Sequence, residues 1–149
     1  VIMAENTMFM NSTIVGKIQK NKLEEIRVSV LKNNMIDLRV CFFYPEATEA
    51  QPTKKGIWLS FKHLPAVIAH LESIAQAPDN EVSFTVDQTP KEELRVYHCE
   101  FKTVKLTDIR SFYLQDNEFK PSARGVSFNA TLIPQVINLL KEADKLKEI

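Results

Sequence analysis

Lys54 and Lys55 stand directly before Gly56, and Trp58, the only tryptophan of the chain, follows two positions later in the stretch QPTKKGIWLS at 51–60. The run after the glycine alternates apolar and polar. If Ile57 and Leu59 face a core, Trp58 points the other way. Cations beside an exposed ring on a sheet suit unpaired nucleotides: the cations track phosphates, and rings stack on bases at about 1–3 kcal/mol per base. More rings lie nearby in sequence at Phe42, Phe43 and Tyr44, and again at Phe112 and Tyr113. The plain alternative for the same residues is a solvated lysine pair and a core aromatic.

Other chemistry is thinly represented. His63, His70 and His98 share no ligand spacing, so each is expected to be solvated or hydrogen-bonded, with no metal. Glu24/Glu25 and Glu92/Glu93 are paired acids that precede strand-like runs, and are expected to be solvated edge or turn charges. Nucleophile-elbow, P-loop and zinc-protease motifs are missing. Three glycines in total leave no Gly-rich phosphate cradle. The expectation is a protein that is not an enzyme and uses no cofactor. Cys41 and Cys99 do not make a disulfide framework; they read as small buried or half-buried thiols in a reducing, intracellular setting.

The 149 residues carry 19 basic and 19 acidic side chains. Zero net charge argues against a uniformly basic nucleic-acid binder and restricts any such footprint to a local patch. At 44% hydrophobic and 26% charged the composition is that of a folded domain. No run of 18 apolar residues exists, so no membrane partner is expected. The first twelve residues lack the pattern of a signal peptide and read as a flexible leader.

The chain repeats itself. Pro52, Gly56, Ile57, Leu59, Pro65, Val67, Ile68 and Leu71 recur 69 positions later as Pro121, Gly125, Val126, Phe128, Pro134, Val136, Ile137 and Leu140. Asp37–Arg39 recurs as Asp108–Arg110, and Glu24–Val28 as Glu92–Val96. The offset drifts only where loops belong, which identifies two copies of one unit joined near 76–81. The expected boundaries are 1–12 for the leader, 13–77 for the first repeat and 78–149 for the second. Charge divides unevenly: residues 1–77 hold 9 basic and 7 acidic side chains, net +2, and residues 78–149 hold 10 and 12, net −2.

Each copy has the same order of elements. TIVGKIQK and EVSFTVD alternate as half-buried strands do, EIRVSVL and ELRVYHCEF follow, and MIDLRVCFFY and LTDIRSFYL are rich in branched and aromatic residues. After a polar loop containing proline come short strands, GIWLS and GVSFN. An apolar stripe then recurs at three and four through Leu64, Val67, Ile68, Leu71 and Ile74, and through Ile133, Val136, Ile137 and Leu140, predicting one helix per copy. Pro65 and Pro134 suit first helical turns, and Asn129 or Thr131 suits a cap. The fold class is therefore α+β: two tandem β-β-β-β-α repeats, each a curved antiparallel four-stranded sheet with a C-terminal helix. A helix covers only one face of such a sheet, and the other is left to solvent, to the second copy or to a ligand.

At these residues the chain resembles the positive cofactor 4 family of transcriptional coactivators. The pattern is carried by DIRSFYLQDNEFKPSARGVSFN in the second copy, and by IDLRVCFF with QPTKKGIWLS in the first. The resemblance implies an internal pseudo-dimer that presents its sheets to single-stranded DNA. By position, Arg39 and Arg110 are the motif arginines, and Phe42 and Tyr113 match the ring after them. Phe101 and Lys102 match an aromatic–lysine pair, and Lys17 the lysine after the first-strand glycine. Lys54, Lys55, Lys120 and Arg124 match the basic loop. With Trp58 these twelve are the candidate nucleic-acid-binding residues. Copy one lacks the aromatic–lysine pair, having the shorter hairpin LKNNM; Gln51 and Ala123 replace basic residues, and EVSFTVD lacks the Gly-Lys. The second copy is then the weaker binder or a structural partner.

The functional expectation is a single-stranded nucleic-acid binder, DNA-preferring, in transcription regulation or in replication and repair. It would act in the cytoplasm, nucleoid or nucleus, alongside transcription or replication proteins, as a monomer with an internal pseudo-dimer or as a homodimer. The alternatives are a protein-interaction module of the same fold with little nucleic-acid affinity, or an RNA-binding protein.

Overall fold

A computed structural model describes residues 12–147; the expected leader lies outside the described residues apart from Ser12. Eight strands form two four-stranded antiparallel meanders. The first contains β1 (Thr13–Gln19), β2 (Glu24–Val30), β3 (Ile36–Phe42) and β4 (Gln51–Leu59). The second contains β5 (Val82–Gln88), β6 (Glu92–Phe101), β7 (Val104–Gln115) and β8 (Glu118–Asn129). Each meander runs through a single 3-10 turn into a helix, α1 (Leu64–Gln76) or α2 (Ile133–Asp144). Pro65 and Pro134 lie in the first helical turns as expected, where their missing N–H is not needed. Asn129 accepts from the Thr131 N–H at 2.9 Å, but it caps the 3-10 turn; the helix itself starts without a side-chain cap.

Strand alternation sorts the side chains as the sequence predicts. Ile26, Val28, Leu38, Ile57 and Leu59 of the first sheet are buried, as are Val96, Ile109, Val126 and Phe128 of the second. These merge with the helix stripes into one continuous core shared by both repeats. Its construction is reciprocal: α1 runs closest against β5 and β6, α2 against β1 and β2, and the two helices touch each other. Each helix thus covers the sheet of the other copy, where the sequence alone suggests a helix backing its own.

The two crossings are filled differently. A side chain at Gly16 on β1 would overlap Leu139 of α2, so the glycine admits that leucine. At the corresponding place Phe84 of β5 stacks on His70 of α1, with ring centroids 4.3 Å apart and planes 8° from parallel.

The fourth strands are longer than the sequence suggests. The expected loop before GIWLS is part of β4, and β8 likewise begins well before GVSFN. Both strands carry a wide bulge: Cys41 pairs with Pro52 and Arg39 with Gly56, so Thr53–Lys55 stand opposite the single residue Val40. The second sheet repeats this, with Phe112 opposite Pro121 and Arg110 opposite Gly125. Each bulge bends an edge strand, where a proline can sit without breaking a ladder.

The glycines serve the arginines opposite them. A β-carbon at Gly56 would lie 2.6 Å from the Arg39 guanidinium carbon, and one at Gly125 would lie 2.7 Å from that of Arg110. At Gly125 the β- and γ-carbons of Arg110 are also within 2.9 Å, so the arginine cannot swing clear. Gly125→Ala is expected to destabilise the protein by about 1–3 kcal/mol and Gly56→Ala by less, as read by urea denaturation.

The β6–β7 hairpin turns on Lys102 and Thr103, both left-handed, with φ 50° and 68°. A β-branched residue pays for that conformation, and hairpins of this kind favour glycine there. Thr103→Gly is expected to raise thermal stability by about 1 kcal/mol, measured as an upward shift in Tm.

Candidate nucleic-acid interface

The face of each sheet opposite the core is polar, and register sets its rows. Lys17 pairs with Arg27, Arg27 with Arg39 and Arg39 with Gly56, so three cations cross the first sheet side by side. In the second sheet the row is Thr85, Arg95, Arg110 and Gly125. Arg27 and Arg95 were not among the residues singled out from sequence, although both lie in the repeated Glu-Glu-x-Arg-Val; only strand register reveals that they complete these rows.

These arginines are braced. Arg39 Nη2 donates to Asp37 Oδ1 at 2.9 Å, and its Nη1 donates to the Thr53 carbonyl at 2.7 Å. Arg110 repeats this with Asp108 Oδ1 at 3.1 Å and the Ser122 carbonyl at 2.9 Å. The Asp-x-Arg signature and its distant glycine therefore form one device: the guanidinium lies across the glycine and ties the bulge down. Burial pushes the Asp37 and Asp108 carboxyls up, and the hydrogen bonds and charges around them pull back. Tyr97 donates to Asp108 Oδ2 at 2.8 Å; its own pKa is pushed up to about 12, by burial first and then by that carboxylate.

Glu25 and Glu93 correct the expectation of solvated acids. Both are buried and paired, Glu93 with Arg95 Nε at 2.6 Å and Glu25 with Arg27 at 3.6 Å. Arg95 also lies 4.2 Å from the centroid of Phe112. Two histidines have polar partners, His98 buried between the Thr107 hydroxyl and the Pro78 carbonyl and His63 standing 3.5 Å from Asp87, whereas His70 packs on the Phe84 ring. Among the described residues no cluster of acids, histidines and cysteines could hold a metal ion. Cys41 is buried, its thiol pushed up to about 11 chiefly by desolvation, and Cys99 is half-buried.

The remaining candidates are not gathered at one spot. The bulges carry Lys54, Lys55 and Arg124 outward, and all three are exposed. Lys120 is half-buried and pairs with Tyr113, which is 40% exposed. Phe42 is half-buried, edge-on to Tyr44 at 5.0 Å. Phe101, 59% exposed, and Lys102 form the tip of the β6–β7 hairpin, with the ammonium 5.3 Å from the ring. Tyr113 pairs with Glu92 at the opposite end of that ladder, so Phe101 and Tyr113 cannot touch one nucleotide. Trp58, 43% exposed, points away from the core.

Two clefts lie where the repeats meet, each built from both. One is lined by Lys20 and Lys55 of the first repeat and by Arg110, Gly125 and Ser127 of the second. The other contains Trp58 and His63 of the first repeat, with Asp87, Glu92, Glu93 and Arg124 of the second. Lys20 escaped the sequence reading, since nothing in the local sequence places the β1–β2 turn beside the second repeat.

Residues 89–139 match the family model described as transcriptional coactivator p15 (PC4). The second repeat is a PC4-family domain. The first repeats its element order, its Asp-x-Arg brace and its bulge before glycine, so the chain holds the PC4-like unit twice. A bacteriophage T5 homologue of the eukaryotic transcription coactivator PC4, implicated in recombination-dependent DNA replication, is 28% identical. That match covers 38% of this chain and 66% of the phage protein, with a TM-score of 0.35. A PC4 homologue from Burkholderia pseudomallei is similar in two crystal forms. One is 24% identical over 43% of this chain and 97% of its own, with a TM-score of 0.39; the other is 25% identical over 45% and 93%, with a TM-score of 0.40. No curated protein matches the chain. No helix among the described residues is long and apolar enough to cross a membrane.

The acids around Trp58 set its local potential. At low salt and pH 8, Trp58 emission is expected to be quenched more strongly by caesium than by iodide, with acrylamide as the neutral reference; a stronger iodide effect would place cations at the ring instead.

Proposed function

We propose that this protein binds single-stranded DNA without catalysing a reaction, in transcription regulation or in DNA replication and repair. The observation that carries the reading is the surface left after the helices are accounted for. Both helices lie against the apolar faces, and the polar faces and the seam between repeats keep Lys17, Lys54, Lys55 and the Lys20–Lys55–Arg110 cleft available to phosphates. Exposed rings at Trp58, Phe101 and Tyr113 supply stacking surfaces at separate points along a bound strand. Arg39, pinned by aspartate and carbonyl, shapes the bulge that presents Lys54 and Lys55, and Arg110, braced in the same way, borders the Lys20–Lys55 cleft. The PC4-family domain of the second repeat, and the replication role attached to the phage T5 homologue, agree with it.

The expected solution behaviour is specific. Fluorescence anisotropy of a labelled oligothymidine should show binding that weakens steeply with salt, and a duplex of the same length should compete poorly. Lys54→Glu with Lys55→Glu should reduce affinity at least tenfold and lower the salt slope by about 2. Retention of no oligonucleotide at low salt would overturn the reading. It would favour the protein-interaction alternative, which the internally paired charges of the Trp58 cleft support. Equal competition by matched RNA would remove the preference for DNA.

A further inference from the structure

The two clefts at the seam occupy equivalent places in the repeat but differ in charge. Lys55 and Arg124 correspond at 69 positions, as do Ser127 and Trp58. Lys20 and Thr89 hold matching places at the β1–β2 and β5–β6 turns, their N–H groups donating to the carbonyls of Glu24 at 3.0 Å and Glu92 at 2.8 Å. In the first cleft Lys20, Lys55 and Arg110 converge and no acid is part of the lining. The nearby acids are outnumbered: Glu24 lies 3.7 Å from Lys20 and is held below the usual carboxylate range, first by an Asn21 hydrogen bond and then by Lys20 and Lys55. Asp108 is occupied by Arg110 and Tyr97.

In the second cleft the lysine of the turn is replaced by Thr89, and Arg124 is met by an acid within the lining itself. Arg124 stands 3.3 Å from Glu92, and His63 stands 3.5 Å from Asp87. Exposed pairs of this kind contribute little stability. They do place carboxylates where a phosphate would have to sit, and like charges at such a distance repel it.

Resting on the proposed function, we infer that the pseudo-dimer has one working phosphate cleft. A single strand runs its backbone through the Lys20–Lys55–Arg110 cleft, and the Trp58 cleft turns phosphate away with its own Asp87 and Glu92. The fold is duplicated while the phosphate site is single, so one chain takes one strand in a fixed direction relative to its two halves.

The test is an oligothymidine titration of the full chain by anisotropy and by calorimetric stoichiometry. The wild type should bind one short oligonucleotide per chain. Lys20→Glu should weaken binding at least tenfold and flatten the salt slope by about 1, and Arg124→Glu should change affinity less than twofold. Lys20→Gln, which removes charge without inverting it, should give the intermediate effect, and circular dichroism confirms that each variant is folded. Asp87→Asn combined with Glu92→Lys should open the second cleft and raise the stoichiometry to two. Two equivalent sites in the wild type, or a larger loss from Arg124→Glu than from Lys20→Glu, would overturn the inference while leaving single-strand binding intact. No binding by the wild type would overturn the proposed function and this inference with it.

Discussion

Everything in this molecule depends on the exchange of helices between its halves. A four-stranded meander with one apolar face is not a stable object until that face is covered. Here the cover for each sheet comes from the opposite repeat, with α2 against β1 and β2 and α1 against β5 and β6. Leu64, Leu71, Val136 and Leu140 are fully buried in a core that belongs to neither half. Each such side chain contributes about 1.5–3 kcal/mol on burial. A repeat cut free would expose its own strands and its own helix stripe together. The exchange consumes the apolar faces and leaves the polar faces and the seams uncovered by helices.

On the polar faces one local device is used twice. An arginine at mid-strand reaches back to an aspartate two residues earlier, lies flat across a glycine on the next strand, and holds a bulge carbonyl with its remaining nitrogen. The bulge needs the arginine to tie it, the arginine needs the glycine for room, and the aspartate balances a partly buried charge. The first bulge pushes Lys54 and Lys55 out to the surface. The Asp-x-Arg motif thus has a structural part, tying each bulge to the strand beside it.

The reach of a local pattern explains what the sequence could and could not tell. The duplication, the strand order, both helices and the outward direction of Trp58 were legible, because apolar period and proline–glycine spacing report local conformation directly. The full lengths of β4 and β8 were not, because a bulge interrupts alternation and its polar residues resemble a loop. The burial of Glu25 and Glu93 was hidden for a related reason: an acid at a strand start looks solvated until register supplies Arg27 and Arg95. Lys20 and the unequal clefts depend on contacts between the repeats, which no window of sequence contains. Phe101 and Tyr113 fit one pattern by position, yet the ladder separates them by the length of a hairpin.

The unlike fillings of the two helix crossings, leucine over glycine at Leu139 and Gly16 and histidine against phenylalanine at His70 and Phe84, carry a wider consequence. An assembly of two identical polypeptides must accept every substitution in both places, and it comes apart on dilution. With the halves joined through the short turn after α1, in which the Asn80 N–H donates to the Ala77 carbonyl at 3.1 Å, the pairing is unimolecular and independent of concentration. Each side of the molecule is then free to diverge, and a symmetric ancestor can give rise to a tool with a front and a back.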